Sequence, residues 1–94
     1  MKNVKPEFEL THLKKKEAIA EQFAERFREV FRQSKWRSDK EFLVKTKYDK
    51  RKFYRFQDGK GNPTLFSIIA IAKAMGVHPK EFFDVAFDDE AYNA

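Results

Sequence analysis

Between Glu17 and Ser34 the apolar residues Ile19, Phe23, Phe27, Val30 and Phe31 recur at spacings of three and four, with Ala20 and Ala24 at the edge of the same stripe. At about 100° per residue that stripe is one side of a helix, and Glu, Arg and Gln fill the other. A long amphipathic first helix with its polar side in water is therefore expected. Ahead of it Pro6 ends a loose leader, in which Phe8 and Leu10 alternate with Glu7 and Glu9 as in a short strand. Ser38-Asp39-Lys40-Glu41 reads as a capping box, where the hydroxyl and the carboxylate satisfy each other's backbone donors. A second helix starts there, buries Phe42 and Leu43, and gives way to the polar stretch Lys45 to Asp49. Asp49 caps a third helix that reaches Gln57 and stops at Gly59, where glycine can take the left-handed conformation.

Asn62-Pro63-Thr64 opens a fourth helix, because proline is preorganised for a first turn and its polar neighbours can cap it. Leu65 to Met75 carries one charge, Lys73, and a helix apolar almost all round belongs in the middle of a fold. Gly76 ends it, and His78-Pro79-Lys80-Glu81 opens a last short helix that turns Phe82 and Phe83 inward. The expected architecture is all-α, a compact five-helix domain.

A chain of 94 residues is one domain and leaves no room for a multi-domain enzyme. The pattern divides it into an N-terminal extension over 1–16, a helical domain over 17–83 and an acidic, apolar tail over 84–94. Cysteine is absent, which removes disulfides, thiolate nucleophiles and Cys zinc sites, and His12 and His78 alone do not build a metal centre. No activated nucleophile, paired-carboxylate pattern or Gly-rich phosphate loop is present, so neither an enzyme nor a cofactor is expected. The longest near-apolar run, Leu65 to Ala72, is too short for a membrane span, and the first residues lack the apolar stretch of a secretory signal. A soluble cytoplasmic protein is expected.

Charge changes the picture. Residues 1–60 hold eighteen bases against ten acids, whereas residues 61–94 hold two against five. Lys35 to Lys60 alone carries ten bases and four acids, with Tyr48, Phe53, Tyr54 and Phe56 interleaved. Such a stretch suits a polyanion-binding face. On the third helix, Lys50, Tyr54, Arg51 and Arg55 fall within an arc of roughly 140°, opposite Phe53 and Phe56. The rings must be buried, which turns Lys50, Arg51, Tyr54 and Arg55 outward. In a DNA major groove Arg and Lys can donate to guanine O6 and N7, and a ring can meet a thymine methyl. These four are the candidate base-reading residues.

The stretch from Pro63 through Leu65-Phe66-Ser67-Ile68 and Gly76-Val77-His78-Pro79 to Phe83 resembles the closing segment of the Cro and lambda-repressor-like helix-turn-helix family, also called the xenobiotic-response-element family. Gln57-Asp58-Gly59-Lys60-Gly61-Asn62-Pro63 looks like that family's Glu-x-Gly-x-x-x-Pro, with Phe53, Phe56 and Phe42 on its buried positions. The resemblance covers Ser38 to Phe83. It implies a helix-turn-helix made by the second and third helices and a transcriptional regulator reading double-stranded DNA. Lys35, Arg37, Lys40, Lys47, Lys52 and Lys60 flank the recognition helix and are the candidate phosphate contacts. This chain departs from the family at Lys47, where the turn usually has Gly, and at Leu43, which replaces a small residue. Asp39 stands where a neutral amide usually meets the DNA backbone, and Gln57 replaces an acid.

Other residues have plainer roles. His78 is a helix cap, Trp36 a core plug, and Lys14-Lys15-Lys16 a solvated run. One recognition helix reads only about four or five base pairs, so a homodimer on a palindrome is expected. Two segments qualify as its pairing surface, the leader with Phe8 and Leu10 and the tail with Val85, Phe87 and Tyr92; the tail is favoured, with Asp84 to Glu90 away from DNA. The rival reading is a protein-interaction module, an antitoxin or adaptor, that keeps this fold without binding DNA; Asp39, Leu43 and Lys47 favour it. A non-specific or RNA binder ranks third, because no exposed aromatic sheet is expected.

Overall fold

Three short polar side chains set the helix starts in the computed structural model of the chain, which describes residues 6–85. Ser38, Asp49 and Thr64 each accept a hydrogen bond, 3.0 Å long, from the backbone N–H three residues on. Each thereby supplies a partner for the amides that a first helical turn leaves bare. The helices that follow are α2 (Asp39–Thr46), α3 (Lys50–Asp58) and α4 (Leu65–Met75). Gly59 and Gly76 close α3 and α4 with left-handed backbones at φ 68° and 80°. Pro63 stands just outside α4, with Thr64 as the cap.

The first helix, α1, runs Pro6–Gln33, so it starts at the proline and not at Glu17. A proline without an N–H costs nothing at the first helical position, and the Glu, Leu, Lys and Ala residues after it are strong helix formers. Phe8 and Leu10 are helical, which corrects the expected strand, and the helix runs unbroken through the boundary expected at residue 16. The fifth element, Pro79–Phe83, is a 3-10 helix of five residues. Its bonds run from Glu81 N–H to His78 O and from Asp84 N–H to Glu81 O, and a segment this short does not reach α-helical pairing. The described residues therefore form four α-helices and one 3-10 turn, correcting the count of five α-helices, and contain no strand.

Phenylalanine fills the centre. Phe27, Phe42, Phe53 and Phe82 are fully buried together with Ile71 and Met75. Phe27 stacks on Phe56 at 5.3 Å, Phe42 lies 5.2 Å from Phe53, and Phe31 meets Phe42 edge-on at 5.7 Å. Contacts of this kind contribute about 0.5 to 1.5 kcal/mol each beyond simple burial. Trp36 bridges α2 and α4: its Nε1 donates to Met75 O at 3.0 Å and its ring stands edge-on to Phe42 at 5.3 Å.

Arg26 ties the 3-10 turn to α1. Its Nε donates to Glu81 O at 2.6 Å, and its guanidinium also pairs with Glu29 and Glu81.

Three expectations about burial fail. On α2 Phe42 is buried, but Leu43 is only partly so, packed against the edge of the core. On α4 only Ile68, Ile71, Ala72 and Met75 are buried, while Leu65 is 67% exposed, Phe66 80% and Ile69 42%. α4 flanks the core, so its apolar circumference is divided between protein and water. Phe83 does not turn inward like Phe82; it is 46% exposed and leans on Phe23 at 5.6 Å.

Candidate nucleic-acid interface

α3 buries Phe53 and Phe56 against α1, through Phe27, and this fixes its rotation. Lys50, Arg51, Lys52 and Arg55 consequently stand in water. Tyr54 is only half outward: its ring packs edge-on against Phe53 at 5.3 Å, so it belongs partly to the core.

The connection between α2 and α3 is residues 47–49. Lys47 takes a left-handed backbone, φ 61°, and its N–H donates to Leu43 O at 3.0 Å. Thr46 Oγ1 donates to Phe42 O at 2.7 Å and accepts from Tyr48 N–H at 3.2 Å, which shapes the turn. Burial pushes the Tyr48 hydroxyl pKa up, and the neighbouring Asp49 carboxylate adds to the effect. At the other end of the pair, Gln57 Nε2 donates to Asp39 Oδ1 at 3.0 Å. The two departures Asp39 and Gln57 are thus partners. An acid and an amide exchanged between the start of α2 and the end of α3 are the sequence signal for this link.

Cations in this region are largely uncommitted. Of the ten bases from Lys35 to Lys60, Lys45 alone forms an ion pair with a described residue, reaching Glu41 at 3.5 Å. Glu41 also accepts from Arg37 N–H at 2.8 Å, and that bond above all holds its carboxyl below the usual value of 4.5, with Lys45 assisting and burial opposing. On α1, by contrast, Arg26 and Arg28 are both occupied. Arg28 pairs with Glu21 at 3.0 Å and donates to Gln57 O.

Three of the candidate residues converge. Lys52, Arg55 and Lys60 line a cavity of about 240 Å³ together with Pro63, the cap residue Thr64 and Ser67 of the first turn of α4. The Arg55 guanidinium lies over Gly61, whose φ of 76° and missing Cβ both suit glycine, since a Cβ there would collide with the guanidinium. Arg37, Lys40 and Lys47 are exposed near the ends of α2. Lys35 stands apart: its Nζ lies 5.0 Å from the Trp36 ring centroid and beside Gly76, at the far end of α4 from that cavity.

His78 caps the 3-10 helix through Nδ1, which accepts from Lys80 N–H at 3.1 Å. Among the described residues no helix is long and apolar enough to cross a membrane. Phe87, Tyr92 and the acids Asp88 to Glu90 lie outside the described residues. No family model matches the chain, and no curated protein or solved structure matches it. The resemblance of residues 38–83 rests on the residues themselves.

Proposed function

We propose that the chain is a sequence-specific double-stranded DNA-binding transcriptional regulator with a lambda-repressor-like domain, working in the cytoplasm. In this reading α2 and α3 are the helix-turn-helix and α3 enters the major groove. The observation that carries the reading is the row of bases from Lys35 to Lys60, nearly all without an ion-pair partner, around a helix held by two buried rings. Cations left in water neutralise phosphate with release of counterions, whereas cations already paired to carboxylates gain little.

Arg51 and Lys50, on the first turn of α3, read base edges. Arg55 and Lys52 act with Lys60 beside the first turn of α4, where the positive end of the helix dipole adds attraction for a phosphate. Arg37, Lys40 and Lys47 meet the backbone on either side. Asp39 would repel a phosphate if it were free, and its bond to Gln57 holds the carboxylate against α3. Lys35, turned onto Trp36, contributes least. The chain acts as a homodimer, because one helix reads too few base pairs to be selective. The rival reading, an antitoxin or adaptor without DNA binding, draws on the apolar surface that α4 exposes.

Fluorescence anisotropy against salt tests the proposal. With about five or six phosphates neutralised per subunit, log affinity should fall against log salt with a slope near −5. Arg51→Ala should cost about 1 to 3 kcal/mol on a selected site and little on random DNA. A flat salt response would remove nucleic acid from the account.

A further inference from the structure

We infer that the cleft between α1, the end of α3 and the 3-10 turn binds a small organic monoanion, a carboxylate on an apolar body of about eight carbons, with the carboxylate held by Arg55 and Lys60. Its regulatory consequence rests on the DNA-reading proposal, which assigns the same two cations to phosphate; the binding itself does not.

The floor of the cleft is the edge of the core. Phe56 and Ile68 are buried there, Ile19 and Phe23 are half-buried, and Phe83 stands in the same wall with 46% of its surface in water. Phe83 leans on Phe23 at 5.6 Å, while its neighbour Phe82 fills the interior against Phe27 at 5.4 Å, so the core is closed without it. The space between these side chains is about 290 Å³. A cavity of roughly 150 Å³ holds one benzene ring, and drug-sized ligands fill roughly 300 to 1,000 Å³. The cleft therefore suits a single ring or a short chain and is too small for the helix of a protein partner.

The rim decides the charge. Lys16, Arg55 and Lys60 line the cleft, all are exposed, and none has an ion-pair partner among the described residues. No described acid lines it. Glu17, Glu21 and Asp58 line the adjoining groove instead, where Glu21 already pairs with Arg28 at 3.0 Å. Unpaired cations around an apolar floor match an amphipathic anion, because its body leaves water while its carboxylate exchanges hydration for charge-assisted hydrogen bonds. A neutral apolar molecule gains little from such a rim, and a bare anion little from such a floor.

Position gives the site a use. Arg55, Phe56 and Lys60 also line the neighbouring cavity, which includes Thr64 and Ser67. The two cations serve both spaces, so a carboxylate resting on them withdraws them from a DNA phosphate. Ligand and DNA compete.

Amide NMR of the full chain titrated with octanoate is the test. Gly59 and Gly61 line the cleft, whereas Gly76 lies past the far end of α4, so three glycine signals report the site and the background together. With about ten non-hydrogen atoms, octanoate should shift Gly59 and Gly61 but not Gly76, with a Kd on the order of 0.1 to 1 mM. Acetate and 1-octanol, each at about 2 mM, should shift them several-fold less. Phe83→Glu, which puts a carboxylate in the wall, should weaken octanoate binding at least tenfold, and Lys16→Glu at least threefold, with circular dichroism to verify folding. Val44→Ser, which changes an exposed apolar residue on α2, should leave it unchanged. Absence of saturable shifts in the full chain, equal shifts from acetate or from 1-octanol, or full octanoate affinity in both folded variants would each overturn the inference. Binding to a DNA half-site separates it from the functional reading. Saturating octanoate should lower wild-type half-site affinity at least threefold and leave that of Phe83→Glu unaffected. Octanoate binding by a chain that ignores DNA would retain the cleft and remove the functional reading, whereas an unchanged DNA affinity with octanoate bound would overturn the competition.

Discussion

Lys47 is the one non-glycine residue among those described that holds a left-handed backbone, at φ 61° and ψ 24°. There its Cβ crowds the following carbonyl, at a cost of about 1 to 2 kcal/mol, while a glycine would return about 0.4 to 1 kcal/mol through its freer unfolded chain. The bond from Lys47 N–H to Leu43 O, 3.0 Å long, needs only the backbone and survives the exchange. Lys47→Gly should therefore stabilise the domain by about 0.5 to 1 kcal/mol, a rise of about 2 to 8 °C in Tm by circular dichroism. On DNA the same change removes an exposed cation, so the slope of log affinity against log salt should shrink by about 0.9. Lys47→Ala separates the two effects, since it keeps the strained backbone and loses the charge. It should show the same loss on DNA with no comparable gain in Tm. A Tm that falls in Lys47→Gly would refute the strain argument, and an unchanged salt slope would remove Lys47 from the phosphate contacts.

Other substitutions probe separate parts of the fold. Gly61→Ala puts a side chain on a backbone at φ 76°, while the exposed end of Arg55 can swing clear of the new Cβ; it should cost about 1 to 2 kcal/mol in urea unfolding, and Arg55→Ala should leave that cost unchanged. In a double-mutant cycle of Asp39→Ala and Gln57→Ala the coupling should be about 1 kcal/mol, and a value near zero would mean the 3.0 Å bond contributes nothing. Phe27→Ala empties the site where three other rings meet and should cost about 3 to 5 kcal/mol, visible as loss of cooperative unfolding. Glu41 has its pKa lowered on folding, so its stabilisation is complete above its ordinary value of 4.5 and fades as pH falls through the lower folded value. The Tm difference between wild type and Glu41→Gln should therefore close between about pH 5.5 and pH 3; a difference that stays constant would contradict the assigned bonds.

Local chemistry was the most readable part of this chain. Ser38, Asp49, Gly59 and Gly76 act on their own neighbours within four or five residues, so their roles follow from residue type and spacing, and α2, α3 and α4 fall where those signals place them. The outward face of α3 was legible because two phenylalanines on a nine-residue helix leave only one rotation. What failed depended on tertiary context. Pro6 breaks a helix or begins one according to what precedes it, and the apolar pattern alone made it a boundary. α4 reads as central because a helix that buries one side and leaves apolar residues in water on another has the same composition as one buried all round. Phe82 and Phe83 are adjacent and identical, so residue type could not show which is buried. Arg55 is exposed on α3, as the wheel predicts, but its curl over Gly61 depends on a loop whose path is set by glycines at φ 76° and 68°.

A selection from random double-stranded oligonucleotides, read by sequencing, tests the DNA-binding proposal most directly. Full-length protein should enrich an inverted repeat whose half-sites, about four or five base pairs each, lie one helical turn apart. The same selection with Arg51→Ala should relax the preference at one position of each half-site. Enrichment of no motif by the folded wild-type protein at low salt would contradict sequence-specific DNA reading and leave the interaction module in its place.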